Sequence, residues 1–290
     1  MIQITIVSGK GGTGKTTLSG SLISLFENKI AADCDVDASN LSLILNPKIK
    51  EKHDYIGGKK ALIDQGKCTK CGICKEVCRF EAVNIENGDY IIDEYACEGC
   101  NACVVKCPEN AIQLLESKAG EYYYSETKMK LPVISAELNP GEETSGGLVA
   151  EVRKKAIETA KDREKDYIII DGAPGIGCPA TSSITAVDYV IIVTEPTQSG
   201  IHDLKRIVET ARQFRRKFGI VINKYDINLE MSGKIEKYCE EENIKILEKI
   251  PFDEVVVRAN VEGRVVVEYS DSKAAKSIVK IYKILKEEIK

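Results

Sequence analysis

Short apolar runs alternate with longer amphipathic stretches along most of the chain. Residues 2–7, 30–33, 167–171, 189–194, 218–223 and 245–250 are short, mostly apolar runs, all but 30–33 carrying several Ile or Val, and read as buried strands. Residues 15–27, 148–161, 200–217, 229–242 and 273–290 carry apolar positions at helical spacing. Strands alternating with helices predict an α/β fold: a mostly parallel sheet covered on both faces. In 273–290, Ala274, Ile278, Ile281, Tyr282, Leu285 and Ile289 share one face with lysines opposite. That face predicts a helix packed on the sheet rather than one lying on a membrane surface.

The alternation breaks at 57–119, where cysteines and glycines crowd short segments. This predicts a discontinuous domain, 1–56 and 120–290, with a small α+β domain inserted at 57–119. Three consecutive tyrosines, Tyr122 to Tyr124, read as a strand leaving the insert.

Composition narrows the partners. The chain has 290 residues, with 41 basic against 45 acidic side chains and a net charge of −4. That balance gives no broad basic field, so nucleic acid is not an expected partner. No run approaches the ~20 apolar residues of a membrane span. The first residues form a strand-like run without a basic segment before it, so no signal peptide is expected. Eleven cysteines in such a chain imply a reducing compartment, the cytoplasm, and metal binding in preference to disulfides.

The sequence Gly9-Lys10-Gly11-Gly12-Thr13-Gly14-Lys15-Thr16-Thr17 lies between the first strand and the first helix. Glycines there let backbone N–H groups curl around phosphate oxygens, and the helix adds its positive end. Gly11, Gly12, Thr13, Gly14, Lys15, Thr16 and Thr17 are the expected phosphate contacts. Lys15 is placed for the β- and γ-phosphates and Thr16 for Mg²⁺. Asp171 ends a strand of three isoleucines and is expected to hold or orient the Mg²⁺ shell. Asp35 follows the second strand and could orient the attacking water. Asp33 and Asp37 read equally well as capping or turn residues.

This loop, with its early lysine, closely resembles the deviant phosphate loop of the MinD/ParA/nitrogenase-iron-protein class of P-loop ATPases. The resemblance implies a homodimer that sandwiches ATP, with Lys10 reaching the partner's nucleotide and stabilising charge on the transferring phosphoryl group. Asp33-Cys34-Asp35 resembles the first switch of that class, and Asp171 to Gly175 its second. The class also implies Asn223 near adenine, and Pro251, Phe252 and Asp253 as the other base-side loop. Asn223-Lys224-Tyr225-Asp226 also matches a guanine-reading pattern, so GTP stays open beside the favoured ATP.

Two runs of the form Cys-x₂-Cys-x₂-Cys-x₃-Cys occupy the insert: Cys68, Cys71, Cys74, Cys78, and, 29 residues on, Cys97, Cys100, Cys103, Cys107. Soft thiolates select iron–sulfur clusters, copper(I) or zinc, and zinc sites usually pair cysteines across a long gap. The repeat resembles bacterial two-cluster ferredoxins. By that resemblance ligation is crossed: one 4Fe–4S cluster takes Cys68, Cys71, Cys74 and Cys107, the other Cys97, Cys100, Cys103 and Cys78. Pro108 follows Cys107 as in ferredoxins, whereas Arg79 follows Cys78, which predicts a shifted potential or less rigid ligation at the second cluster.

Cys34 and Cys239 read as packing residues. Cys178 lies where the nitrogenase iron protein has a ligand to a dimer-bridging cluster, but residues 140–147 offer no second cysteine, so a structural thiol is expected. His53 and His202 are isolated. Taken together, the motifs predict an ATPase whose nucleotide state gates electron transfer from two 4Fe–4S clusters to a redox partner. An ATP-dependent cluster carrier delivering to an apo-protein acceptor is the alternative. Membrane or DNA organisation is the reading least favoured by charge.

Overall fold

The computed structural model describes residues 1–142 and 145–289. They form two compact units. Unit one comprises Met1–His53, Tyr122–Glu137 and Ser145 onward; unit two comprises Asp54–Glu121 and the segment from Leu138.

In chain order, β1 (Ile2–Ser8), α1 (Lys15–Leu25), β2 (Lys29–Asp33) and α2 (Leu41–Leu45) open unit one. β3 (Lys48–Ile63) runs on into unit two, which holds α3 (Ile73–Val77), β4 (Val83–Glu86), β5 (Asp89–Ile92) and α4 (Ala102–Lys106). β6 (Ile112–Glu126) leads back, followed by β7 (Pro132–Leu138), α5 (Ser145–Asp162), β8 (Tyr167–Pro174), α6 (Cys178–Ile184) and β9 (Tyr189–Thr194). α7 (Gln198–Gln213), β10 (Lys217–Asn223), α8 (Leu229–Glu241), β11 (Ile246–Ile250), α9 (Glu254–Val261) and α10 (Lys273–Glu288) complete the chain.

The main sheet has the order β11-β10-β9-β1-β8-β2-β7-β6-β3, and every pairing from β11 to β7 is parallel. Its central strands are buried on both faces, which explains their unbroken apolar character. Ile4, Ile6, Ile169, Ile191 and Val193 join Leu18 and Leu22 of α1 and Ile278, Ile281 and Leu285 of α10 in one core. The intervening Val7, Ile168, Ile170 and Ile192 are buried as well. The apolar face of α10 therefore packs on the sheet, as its pattern predicts. Lys290 lies outside the described residues. Among the described residues no helix is long and apolar enough to cross a membrane.

Several features differ from the sequence reading, among them α2, β7, α6 and α9, which lie where no element was expected. The helix expected over 200–217 ends at Gln213, because Arg215 takes a left-handed conformation (φ 53°) and β10 starts at Lys217. The region expected to hold only short segments, 57–119, contains the second part of the 16-residue strand β3 and the first part of the 15-residue strand β6. Unit two begins at Asp54, with α2 and the first part of β3 between it and Asp35.

Unit two is held by a small core of Ala61, Ile63, Cys74, Ala82, Val83, Cys97 and Ile112. β4 and β5 pair antiparallel within it. The two short helices follow left-handed residues at equivalent repeat positions, Gly72 (φ 84°) and Asn101 (φ 70°). The internal sequence repeat is thus a structural repeat.

Candidate functional site

The phosphate loop connects β1 to α1 at the carboxyl ends of the parallel strands, where ligands of open α/β sheets bind. Gly12 and Gly14 both have positive φ, 77° and 92°. At Gly14 a Cβ would sit 2.3 Å from Asn223 Nδ2, so only glycine serves there. Asn223 Nδ2 donates to Thr13 O at 2.8 Å, tying the loop to the end of β10.

Lys15 is nearly buried, 5% exposed, and its Nζ lies 3.4 Å from Asp35 Oδ2. Burial pushes the Asp35 carboxyl up, and Lys15 pulls it back. Asp171 follows the three isoleucines of β8 and is in register with Asp33 of β2. Its Oδ1 accepts from Ser19 Oγ at 2.8 Å, and Thr16 also hydrogen-bonds to it. Burial raises Asp171, against the pull of Lys15. The Asp171 Oδ2 atom is buried and has no hydrogen-bond partner among the described residues. A buried, orphaned carboxylate oxygen beside the Thr16 hydroxyl fits Mg²⁺, a cation that selects hard oxygen ligands.

Asp33 is fully buried. Burial first, then the charge of Asp171, raises its carboxyl to about 7. It accepts from Asp35 N (3.1 Å), Ser39 Oγ (2.7 Å) and Leu41 N (3.1 Å). Asp33 therefore shapes the loop that carries Asp35 and caps the start of α2. Cys34, fully buried between the two acids, has its thiol pushed far up by burial.

Lys10 is held within its own chain. Its Nζ lies 2.6 Å from Glu195 Oε1 and donates to Thr197 Oγ1 and Ser199 Oγ at the start of α7. Glu195 also lies 3.6 Å from Lys224.

Beside the loop is a cavity of about 230 Å³ lined by Gly12, Gly14, Thr17, Asn223, Pro251 and Asp253, among others. The Asp253 carboxylate caps α9 through Val255 N and accepts from Ser272 Oγ and Ala274 N. Burial would raise Asp253, but these hydrogen bonds outweigh it and hold the group below the usual range. Asp226 Oδ1 accepts from Phe252 N at 2.7 Å, so this carboxylate supports the 251–253 loop. Gly175 (φ 84°) turns the chain out of β8, and Cys178 is the exposed first residue of α6. Gly146 packs against it, as a Cβ there would lie 2.9 Å from Cys178 Cβ. Glu143 and Thr144, in the segment compared with the second bridging ligand, lie outside the described residues.

In unit two, all eight repeat cysteines are free thiols. One cavity is lined by Cys68, Cys71, Cys74 and Cys107, and a second by Cys78, Cys97, Cys100 and Cys103. Ala111 N donates to Cys107 Sγ at 3.3 Å, and Ala61 N to Cys97 Sγ at 3.4 Å. Among the described residues no three His, Cys, Asp or Glu side chains converge tightly enough for a single metal ion. A tetrahedral zinc site would need its sulfurs roughly 4 Å apart.

Ser19, Ser39, Glu195 and Ser199 were not singled out from sequence. Ser19 stands four residues after Lys15 and so shares its helix face, a signal that was legible. The others needed the fold.

A glycine loop at the carboxyl end of a central parallel strand, with an acid on the neighbouring strand, defines a P-loop nucleotide-binding protein. The model of the CobQ/CobB/MinD/ParA nucleotide-binding domain matches residues 4–266, and the chain belongs to that family. An uncharacterised protein of Methanocaldococcus jannaschii is 36% identical over 99% of this chain and 97% of its own. The iron–sulfur cluster carrier protein of Pyrococcus abyssi is 30% identical over 50% of this chain and 53% of its own. The structure of the septum site-determining protein MinD of Pyrococcus horikoshii, complexed with Mg-ADP, covers 98% of this chain and 95% of its own. Its TM-score is 0.58 at 21% identity, a likeness of fold.

Proposed function

We propose that the chain is an ATP-hydrolysing switch that dimerises on nucleotide and gates electron transfer by two 4Fe–4S clusters held in unit two. The single observation that carries this reading is the grouping of cysteines. Each cavity combines three cysteines of one run with the fourth of the other, Cys107 in one and Cys78 in the second. Four soft thiols per cavity suit an iron–sulfur cluster. When bound, such clusters supply one-electron chemistry.

The chain's own residues divide the nucleotide work. Lys15 Nζ would leave Asp35 for the β- and γ-phosphates, and Thr16 with Asp171 would hold Mg²⁺. Asp35, freed from Lys15, orients the attacking water. Lys10 leaves Glu195 to meet the partner's phosphates. Asn223 and Pro251 flank the base. The engagement of Asp226 with Phe252 N favours adenine over guanine, since that carboxylate already has structural work. The proposed ferredoxin-like insert, 57–119, falls within the second compact unit, which comprises Asp54–Glu121 and the segment from Leu138.

The carrier reading is kept on one finding, the partial similarity to the Pyrococcus abyssi cluster carrier. Against it, each cavity draws all four thiols from one chain, which favours permanent ligation. Anaerobically purified protein would be mixed with Mg-ATP and an apo-ferredoxin. Retained clusters whose potential or electron-transfer rate changes with ATP are expected. Clusters appearing on the acceptor would replace the first reading with the second.

A further inference from the structure

Unit one contains a second cavity, of about 500 Å³, away from the phosphate loop. That volume lies within the range of about 300–1,000 Å³ usual for small-molecule sites. It opens at the amino ends of β2 and β7, where Lys29 and Pro132 begin the strands. The phosphate loop leaves the carboxyl end of β1, in the same parallel set, so the two sites lie at opposite ends of the sheet. α1 connects them, starting at Lys15 and contributing Ile23 and Ser24 to the far cavity.

The lining combines charge with an apolar floor. Lys29, Lys128, Lys130 and Lys165 supply four ammonium groups. Ile23, Ile44, Leu45, Leu131 and Val265 supply apolar surface. The only acid in the lining among the described residues is Glu268, whose Oε2 is 2.7 Å from Arg264 Nε. Asn28 is engaged with Asp166, and Lys165 donates to Asn28 Oδ1 at 3.1 Å. Lys29, Lys128 and Lys130 form no ion pair among the described residues. Burial lowers the Lys29 ammonium below its ordinary range; Glu27 offsets this and Lys165 adds to it. An arriving anion would relieve that cost.

We propose that this cavity binds a small amphipathic organic anion: a carboxylate, sulfonate or phosphate head on an apolar body. The head sits among the lysines, and the body covers the isoleucine and leucine floor. A strand-forming peptide is disfavoured because β2 lies between β8 and β7, and β7 between β2 and β6, so neither offers a free edge. Lys128 and Lys130 stand on the turn between β6 and β7, closed by Lys130 N to Thr127 O. Both are exposed, and their substitution leaves the core intact.

The test is a fluorescence titration of the full chain with 8-anilinonaphthalene-1-sulfonate, with thermal melts as folding controls. One saturable site is expected, displaced by octanoate but not by octanol or Mg-ATP. K128Q/K130Q and Lys29→Gln should each weaken it by about tenfold, as loss of a charge-assisted contact predicts. K128R/K130R should retain it. Absence of a saturable site in the native chain would overturn the proposal. So would displacement by Mg-ATP, equal competition by octanol, or undiminished binding in K128Q/K130Q. In that last case the lysines merely offset the negative carboxyl ends of α1 and α2.

Discussion

Lys15 and Asp35 pair at 3.4 Å, and the proposed nucleotide roles require them to part. On the proposed reading, a polyphosphate offers Lys15 more charge than one carboxylate, and its binding would free Asp35 to act beside the γ-phosphate. Lys15→Ala should reduce phosphate release by about 100-fold or more, by loss of transition-state charge stabilisation. Asp35→Asn should spare nucleotide affinity while lowering turnover by about 100-fold or more, as for a removed base. Phosphate-release assays paired with nucleotide titrations separate the two. Asp33 gives a pH signature. Its folded-state carboxyl is raised to about 7, above the unfolded value of ~3.9. The folded state therefore holds the extra proton, and stability present below ~4 is lost as pH rises toward 7, by up to about 1.4 kcal/mol per unit. Urea denaturation of nucleotide-free, Mg²⁺-free protein should show that decline, and Asp33→Asn should flatten it. The sequence weighed Asp33 as a cap, which its bonds to Ser39 and Leu41 make it. Its pairing with Asp171 depends on the β2–β8 register, which no local pattern encodes.

α6 follows the Asp171 to Gly175 turn, and its far end is clamped by a buried arginine. Arg153 of α5 donates to Ser182 O and Thr185 O, and through its other nitrogen to Gln3 Oε1. Arg153→Leu should cost about 2–4 kcal/mol, since two backbone carbonyls lose charge-assisted donors. Chemical denaturation checks this directly. Most of the parallel core was legible because β1, β8, β9 and β10 are compact runs rich in Ile and Val, whereas β7, Pro132–Leu138, with its mixed polar and apolar residues, was not expected. β3 was not, because Lys48–Ile63 mixes many charged residues with Gly57 and Gly58. Its register on a neighbouring strand, not its composition, makes it a strand.

At the scale of the molecule, the two units are joined through chain connectivity: β3 and β6 each run from one unit into the other. Mg-ATP should convert the chain to a dimer, seen by sedimentation velocity. Lys10→Ala should slow turnover with little effect on nucleotide affinity. The cysteine spacing alone announced two thiolate sets. Crossing was implied only by resemblance, because the partition of Cys78 and Cys107 depends on how the repeats fold together. That partition can be read from the iron content of anaerobically purified double variants. With crossed sets, C74A/C107A strikes one cavity and should keep about four irons per chain, the content of one 4Fe–4S cluster, whereas C74A/C78A strikes both and should keep almost none. The reverse result would mean that each run holds its own cluster. Equal and full iron in both variants would contradict cluster binding at these cysteines altogether.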